Sequence, residues 1–368
     1  MSNGADEFDL GIFAGKRVLL TGDTGFKGSW LALWLSELGA EITGLALPCR
    51  PANVLFPAVA PFIRHLDGDI RDLETLLRVT RELRPEFVFH LAAQSLVRQS
   101  YIDPQSTFAT NVLGSTNLLE AVRRSDGVRA LIYVTTDKCY RNKDTLIGYR
   151  EEDELGGRDP YSASKACAEF VFRAYRESFL AQRNGLGAAS ARAGNVIGGG
   201  DRAADRIIPD TIAALEAGKP VLLRNPGHVR SWLHVLDPLH GYLKLAAALA
   251  KDPARFSGPW NFGPGRDAIR SVEDLVRAVI AVWGTGSIAY DSRDGAPHEA
   301  VALYLSSEKA RGELGWRALW PFERAAAETA AWYRDVGAGR APLAVTREQI
   351  RSYMAERATD AAAAAAGT

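Results

Sequence analysis

Tyr161 and Lys165 have the residue types and the spacing for proton transfer. They follow Asp159-Pro160 and lead into a stretch without Gly or Pro that ends at Ala181, which predicts a helix beginning at the proline. Side chains four residues apart project from one face of a helix, one turn apart. A lysine beside a phenol lowers the phenol's pKa from ~10, which would make Tyr161 a proton acceptor. Such a pair is more often a solvated helix face, so this interpretation requires a dinucleotide site elsewhere.

A glycine-rich turn upstream predicts that site. The apolar run 16–20 is followed by Gly22, Gly25 and Gly28, and then by the apolar helical pattern 29–38. Glycines at this GxxGxxG spacing let the backbone turn sharply and approach a pyrophosphate at the helix N-terminus. A purely structural turn is the alternative, and the presence of Tyr161 and Lys165 makes it the weaker one.

Composition excludes several classes of protein. Lysine plus arginine and aspartate plus glutamate both number 44 in 368 residues, so no basic excess points to nucleic acid or an anionic membrane. Residues 1–14 have no apolar core typical of a signal peptide, and no apolar run approaches the ~20 residues of a membrane span. Cys49, Cys139 and Cys167 lack metal-ligand spacing and give no disulfide framework. We expect a cytoplasmic enzyme without a metal.

Alternating strand and helix patterns predict an α/β fold. It would be a Rossmann-type, doubly wound parallel sheet covered on both faces, with a smaller mixed C-terminal substrate-binding lobe. The predicted strands are 16–20, 40–47, 66–70, 87–93, 130–136 and 188–193, and the predicted helices include 73–83, 107–124, 208–217, 238–250 and 272–282.

The pattern also predicts domain boundaries. We expect a dinucleotide-binding domain at 1–195 that includes the Tyr161 helix. Residues 196–340 would form mainly the substrate lobe, with some chain returning to the first domain. Residues 341–368 would be an extension whose alanine-rich end is disordered or a frayed helix.

Polar residues follow the strand before the Tyr161 helix. Ligands bind outside the carboxyl ends of parallel strands, so Thr136, Asp137 and Lys138 are placed to meet Tyr161 over one ligand. The alternative is a turn in which Asp137 bonds its own backbone. Farther along, Arg230 has the two-pronged geometry that binds a diphosphate, although a surface arginine is an equally good interpretation.

Longer motifs make a resemblance specific. From about Gly15 to about Arg334 the chain resembles the extended short-chain dehydrogenase/reductases and, within them, the CDP-glucose 4,6-dehydratases. The motifs that carry the narrower resemblance are Thr21-Gly-Asp-Thr-Gly-Phe-Lys-Gly-Ser-Trp30, His90-Leu-Ala-Ala-Gln-Ser-Leu-Val-Arg98, Thr135-Thr-Asp-Lys-Cys-Tyr140, Gly194-Asn-Val-Ile-Gly-Gly-Gly-Asp201 and Trp260-Asn-Phe-Gly-Pro264.

The resemblance implies NAD as cofactor and CDP-glucose as substrate. Hydride would leave sugar C4 while Tyr161 accepts the 4-hydroxyl proton. Water would then leave from C5–C6 with Asp137 as general acid, and the hydride would return to C6 to give CDP-4-keto-6-deoxyglucose. Thr136 would hydrogen-bond the 4-oxygen, and Lys165 would bind the nicotinamide ribose.

The resemblance also implies the binding residues and the assembly. The expected cofactor ligands are Gly22, Thr24, Gly25, Phe26, Lys27, Gly28, Asp69, Ile70, Leu91, Ala92, Ala93, Thr110, Thr135, Tyr161 and Lys165. The expected substrate ligands are Gln94, Ser95, Asn195, Arg230 and His298. Family members usually pair through a helix bundle, so we expect a homodimer or a dimer of dimers.

The Tyr161 helix itself favours that dimer because it is apolar on two sides. One stripe, with Phe172, Tyr175 and Phe179, should pack on the sheet. The other would meet a second copy or, alternatively, lie under the C-terminal lobe; it comprises Ala163, Cys167, Phe170 and Ala174.

Two departures from the family pattern leave questions open. The end of the second strand, 45–50, has no acid to hold the adenosine ribose, and Arg50 there suits a 2′-phosphate, so the residues alone leave NAD and NADP open. Asp69 would meet the adenine edge instead. Lys138 stands where related dehydratases more often have glutamate. It would either remove the C5 proton as a neutral amine or stabilise the enolate while Tyr161 or water takes that proton.

Two other functions compete with a CDP-glucose dehydratase. One is a 4-epimerase, or a dehydratase for another nucleotide, on the same scaffold. An epimerase needs no acid–base pair at C5 and C6, so Asp137 and Lys138 argue against it. The other is an inactive NAD-binding regulator, which would be expected to lose Tyr161 or Lys165, and both are present.

Overall fold

A parallel sheet forms the centre of the molecule. The computed structural model describes residues 8–50, 53–145, 147–290 and 303–366. Within this described part, seven parallel strands pair in the order β10-β6-β5-β4-β1-β2-β3. The strands, in chain order, are β1 (Arg17–Thr21), β2 (Glu41–Ala46), β3 (Arg64–Asp67), β4 (Phe87–His90), β5 (Ala130–Val134), β6 (Gly187–Ala193), β7 (Asn195–Ile197), β8 (Val221–Leu223), β9 (Val229–His234), β10 (Gly258–Phe262), β11 (Ile269–Ser271) and β12 (Ile288–Tyr290).

Helices cover both faces of this sheet. They are α1 (Phe26–Glu37), α2 (Phe56–Val59), α3 (Leu73–Leu83), α4 (Val97–Ile102), α5 (Pro104–Phe108), α6 (Ser115–Arg124), α7 (Pro160–Tyr175), α8 (Ile207–Glu216), α9 (Leu236–Lys251), α10 (Pro253–Phe256), α11 (Val272–Trp283), α12 (Glu308–Leu314), α13 (Phe322–Gly337) and α14 (Pro342–Ala366). Alternate strand residues enter different cores, since Leu19 packs with the α3, α6 and α7 layer and Leu20 with the α1 and α9 layer. The predicted doubly wound α/β fold is therefore confirmed.

The register brings the carboxyl ends of the central strands to one edge. Thr21 of β1 lies beside His90 of β4, and Val134 of β5 lies beside Ala191 of β6. The loops that follow these strands start at the same edge, and those loops include Leu91 and Thr135. This edge is where an open parallel sheet binds its ligand.

The C-terminal half builds the smaller lobe. β9 pairs in parallel with β7 and antiparallel with β11, which makes a mixed sheet, and β8 pairs with β12. The same half also returns chain to the main sheet, because β10 pairs with β6 and α9 packs against β5 and β6.

Several element bounds differ from the expected ones. The third strand is 64–67 rather than 66–70, so Asp69 and Ile70 lie in the loop beyond it. The predicted helix 107–124 includes a π-helical segment, Ala109–Gly114, between α5 and α6. The alanine-rich end continues α14 to Ala366, because alanine has the highest helix propensity and tertiary contacts hold the rest of α14. In the described residues, no helix is long and apolar enough to cross a membrane.

A buried carboxylate attaches α14 to the core. Oδ1 of Asp237, in the first turn of α9, accepts hydrogen bonds from the Leu319 amide (2.6 Å) and the Tyr353 hydroxyl (2.8 Å). Arg357 lies 3.4 Å from the same oxygen. Burial raises the pKa of Asp237 to about 6, although the positive charge of Arg357 opposes that shift.

Asp237→Asn should change how stability depends on pH. An aspartate with a higher pKa when folded binds its proton more tightly in the folded state, so the contribution of Asp237 to wild-type stability should fall as the pH rises from about 4 to about 6. Asparagine does not titrate. The free energy of unfolding of the variant, relative to wild type, should therefore increase by up to about 3 kcal/mol over this interval. Urea unfolding at several pH values measures it.

The exposed Asp126 provides a control, since Asp126→Asn should leave the pH dependence as in wild type. An Asp237→Asn curve parallel to that of wild type would contradict this account of the buried carboxyl.

Candidate active site

The glycine turn between β1 and α1 is closely packed against the end of β4. Gly22 has φ 80°, and a Cβ there would lie 2.7 Å from the Ala92 amide nitrogen. A Cβ on Gly28 would lie 2.0 Å from the Gly22 carbonyl oxygen. Gly25 begins α1 without a side-chain cap, so the turn leaves the amides at the helix N-terminus accessible to an anion.

Lys27, in the first turn of α1, points into the same region. It lines a cleft of about 810 Å³ together with Phe26. Burial of its ammonium group is the main cause that lowers the pKa of Lys27 to about 8. Repulsion from Lys165 and Arg206 adds to this shift. Uncapped helix amides, closely packed glycines and a lysine suit a pyrophosphate, so the residues present fit a dinucleotide.

The predicted helix with Tyr161 and Lys165 is α7, and both side chains line the cleft. Pro160 occupies the first turn of the helix, and the Asp159 carboxylate caps it by accepting from the Ser162 amide (2.9 Å). Only 7% of each of Tyr161 and Lys165 is exposed. The pair is therefore a site feature, not a solvated helix face.

The pKa of Tyr161 differs from the sequence-based expectation. Burial raises it to about 12, although the charge of Arg206 and a hydrogen bond with Thr136 oppose that shift. Burial also lowers the pKa of Lys165 to about 8. The predicted lowering of the Tyr161 pKa by Lys165 is thus wrong, because loss of solvation outweighs the nearby positive charge, which is that of Arg206.

The segment after β5 brings Thr136, Asp137 and Lys138 to the cleft. The Thr136 hydroxyl donates to Oδ1 of Asp137 (2.9 Å), while the buried Oδ2 has no hydrogen-bond partner among the described residues. Burial raises the pKa of Asp137 against the charges of Lys138 and Arg230, which favours the protonated acid. Nζ of Lys138 lies 6.0 Å from the centre of the Tyr161 ring.

Other predicted residues complete the walls. In the described part of the chain, those that line the cleft are Phe26, Lys27, Leu91, Ala93, Ser95, Thr135, Thr136, Asp137, Lys138, Tyr161, Lys165, Asn195 and Arg230. Leu91, Ala93 and Ser95 follow β4, Asn195 begins β7, and Arg230 lies on β9. The cleft therefore lies between the carboxyl edge of the main sheet and the smaller lobe.

Several predicted ligands are not part of the lining of this cleft. The Gln94 amide is used within its own loop, where it bonds the backbone of Leu96 and the Thr107 hydroxyl, so a direct contact with substrate is not supported. Asp69 is hydrogen-bonded to Arg71, which lowers the pKa of Asp69. The other predicted cofactor ligands that do not line the cleft are Gly22, Thr24, Gly25, Gly28, Ile70, Ala92 and Thr110. His298 is outside the described residues.

The sequence did not identify the charged groups that connect the two sides of the cleft. Arg206, just before α8, bonds the Ser95 hydroxyl (2.8 Å) and the Asp201 carboxylate (2.9 Å). Asp205 pairs with Arg98 at 3.0 Å and with Arg224 at 3.7 Å. Arg98 and Asp201 end two of the quoted motifs, whereas Arg206, Asp205 and Arg224 belong to none. The available signal for Asp205 and Arg206 was the run of charges between Gly200 and α8.

Comparisons with known proteins agree with this geometry. Residues 18–261 match the model of the NAD dependent epimerase/dehydratase family. The chain belongs to this family. Over 352 residues it is 44% identical to a CDP-glucose 4,6-dehydratase of Salmonella typhimurium, an alignment that spans 94% of this chain and 98% of the relative. The resemblance to extended short-chain dehydrogenase/reductases and the prediction of NAD as cofactor are confirmed.

Two solved structures are also similar. The dTDP-glucose 4,6-dehydratase of Streptomyces venezuelae, with NAD bound, is 28% identical to this chain and has a TM-score of 0.73. Its double mutant, also with NAD bound, is 28% identical and has a TM-score of 0.74. Both alignments cover 89% of this chain and 99% of the other. The UDP-glucose 4-epimerase of Thermus thermophilus, in complex with NAD, is 29% identical with a TM-score of 0.73, covering 86% and 99%.

Two alanine substitutions should show which glycine of the turn is needed for close packing. Gly28→Ala should lower the free energy of unfolding by about 1–3 kcal/mol, because its Cβ would meet the Gly22 carbonyl and the backbone must move. Gly25→Ala should cost much less, since its Cβ would meet only that oxygen, at 3.2 Å. Chemical denaturation measures both. Equal losses in the two variants would contradict the packing role of Gly28.

Proposed function

We propose that this chain catalyses the conversion of CDP-D-glucose to CDP-4-keto-6-deoxy-D-glucose and water. The observation that carries the proposal is a buried acid, Asp137, in one cleft with Tyr161 and Lys165. A dehydration needs both a base for the 4-hydroxyl and an acid for the departing 6-hydroxyl. The choice of cytidine as the nucleoside of the substrate rests on the 44% identity to the Salmonella dehydratase.

Bound NAD would supply the hydride acceptor and donor that allow C4 to be oxidised and C6 to be reduced in one cycle. Tyr161 would accept the proton of the 4-hydroxyl at its phenolic oxygen. Because burial raises its pKa to about 12, forming the phenolate requires nearby positive charge, which Arg206 provides and Lys165, in the same cleft, would add. Thr136 would hydrogen-bond the 4-oxygen.

Asp137 would protonate the 6-hydroxyl as it leaves. A general acid must hold its proton until that step, and burial favours the protonated form of this carboxyl. The Thr136 hydroxyl fixes Oδ1, which leaves Oδ2 as the oxygen that carries the proton toward the substrate. Lys138 would act at C5, as a base or as a charge that stabilises the enolate.

The remaining walls would hold the two ligands. We infer that the glycine turn, Lys27, Lys165 and the loop after β4 bind the dinucleotide. Residues 196–340 would form most of the binding site for the nucleotide sugar. Asn195, Arg230 and His298 would contact its diphosphate. Ser95 would contact the sugar side together with Arg206, to which it is bonded.

Substrate profiling tests this function. Purified protein is incubated with CDP-, dTDP-, GDP- and UDP-linked glucose, and 4-keto product is measured. Product from CDP-glucose well above the others supports the proposal. Release of the C4 epimer would identify an epimerase. Sustained accumulation of free NADH would identify an ordinary dehydrogenase, because a 4,6-dehydratase leaves no net change in its cofactor.

Lys138→Ala should separate the two halves of the reaction. The variant should still form enzyme-bound NADH from CDP-glucose, since Tyr161 and Lys165 remain, but should lose exchange of the C5 hydrogen with solvent. Tyr161→Phe should lose both. Rapid-mixing absorbance and proton NMR in D₂O measure the two steps. C5 exchange at the wild-type rate in Lys138→Ala would leave Lys138 only a positioning role.

We further propose that the protein is a dimer through α7 and its neighbours. The second stripe of α7 is not covered by the C-terminal lobe: Cys167, Phe170 and Ala174 are exposed, and Phe170 is 45% exposed. The helices α4 and α5 and the π-helical segment Ala109–Gly114 pack beside α7 and add the exposed apolar residues Tyr101, Ile102, Phe108 and Leu113. An apolar surface of this kind favours a two-fold interface.

Phe170→Asp should dissociate this dimer, because it would place charged carboxylates in the apolar interface. Analytical ultracentrifugation at micromolar protein should show a dimer for wild type and a monomer for the variant. Leu222→Asp is a control on another surface, since Leu222 is also exposed but lies on β8. A monomeric wild type would overturn the dimer.

A further inference from the structure

We propose that Glu169 is a positioning residue for the reaction: it holds Lys165 charged and fixes the end of β5 beside it. Glu169 lies one helical turn after Lys165 on α7, and only 2% of it is exposed. It does not line the cleft. The inference rests on the proposed function, because it assigns Lys165 a role at the cofactor.

Four hydrogen bonds hold the Glu169 carboxylate. The Thr135 hydroxyl donates to Oε1, and the Ser190 hydroxyl donates to Oε2 at 2.9 Å. Arg192 donates Nε to Oε1 at 2.9 Å and Nη2 to Oε2 at 2.7 Å, which is a two-pronged pair. The carboxylate thus connects α7 with the ends of β5 and β6 beneath the cleft.

Arg192 extends this connection to the irregular segment between β5 and α7. Its Nη1 donates to the Tyr140 hydroxyl at 2.6 Å and to the Glu151 carbonyl oxygen at 3.0 Å. Tyr140 in turn donates to the Asn261 side chain at 2.9 Å. Thr136, Asp137 and Lys138 lie at the start of that segment, so the same network holds both the acid and the lysine in place.

The charge of Glu169 acts on Lys165 directly. Burial disfavours the Lys165 ammonium, and Glu169 is the main group that opposes this loss. Other titratable groups near Lys165, among the described residues, are Tyr161 one turn earlier on α7, Cys139 after β5, Lys27 on α1 and His90 on β4. Burial and Lys165 itself lower the pKa of His90 to about 3, so it stays neutral. Glu169 is therefore the neighbour that keeps Lys165 largely charged at neutral pH.

The test uses two variants that remove the carboxylate. Glu169→Gln keeps the size of the side chain but leaves the Arg192 guanidinium buried without its partner. The double variant Glu169→Gln with Arg192→Met avoids that unpaired charge and should fold more stably than the single variant. In both, Lys165 should lose its proton at lower pH by roughly one unit, the shift typical of one nearby charge.

Two measurements report that shift. The first is NADH affinity across neutral and alkaline pH, by isothermal titration calorimetry, which does not depend on turnover. The second is the pH profile of kcat/KM with CDP-glucose. The pH above which each quantity falls should move down in both variants. At the wild-type midpoint, the charged fraction of Lys165 should fall severalfold.

Ser190→Ala is the matched control. It removes one hydrogen bond from Glu169 but leaves the charge, so it should lower stability without moving either pH profile. If the folded double variant keeps the wild-type NADH profile, Glu169 has only a structural role and the inference fails. If wild type binds NADH but does not convert CDP-glucose, the proposed function fails and the calorimetric test of Glu169 still stands.

Discussion

The position of α1 depends on the contact between Gly28 and the carbonyl oxygen of Gly22. Any side chain at Gly28 would overlap that oxygen, so only glycine lets the helix start this close to the end of β1. Once placed, α1 buries Trp30, whose indole nitrogen donates to the Gly199 carbonyl at 2.8 Å. Because Gly199 follows β7, this bond connects the glycine turn to the smaller lobe. The two walls of the cleft are thus positioned by one helix.

Desolvation dominates the electrostatics of this cleft. It raises the pKa values of Asp137 and Tyr161 and lowers those of Lys27 and Lys165, in each case toward the neutral form. Glu169 is the exception, because Arg192 and two hydroxyl donors hold its pKa below the ordinary value despite complete burial. A protonated acid and lysines whose pKa values lie near neutral pH are suited to moving protons, and the firmly ionised Glu169–Arg192 pair lies beneath them.

Local pattern was enough to predict the parallel sheet and the residues that gather at its edge. Near-continuous apolar strands, the glycine turn and the Pro160 helix start are each signals contained within a few neighbouring residues. The pKa of Tyr161 was predicted in the wrong direction, since spacing reveals the nearby lysine but not the depth of burial.

The hydrogen bonds of Gln94 and Arg206 were likewise not predictable from short sequence motifs. The motif around Gln94 suggested a ligand, but its amide is used by Leu96 and Thr107 in a loop whose shape the sequence does not encode locally. Arg206 is more than a hundred positions from Ser95, which it bonds, and no short motif reports such a distance. His298 lies outside the described residues.

The pairing of β10 with β6 has a consequence for how the chain can be divided. A fragment ending at Asn195 would leave β6 as a bare edge strand, with its backbone amides and carbonyls open to other chains. It would also lose α9, which covers β5 and β6 from one side. We therefore expect that recombination between relatives exchanges whole chains or surface loops more readily than halves joined at the end of β6.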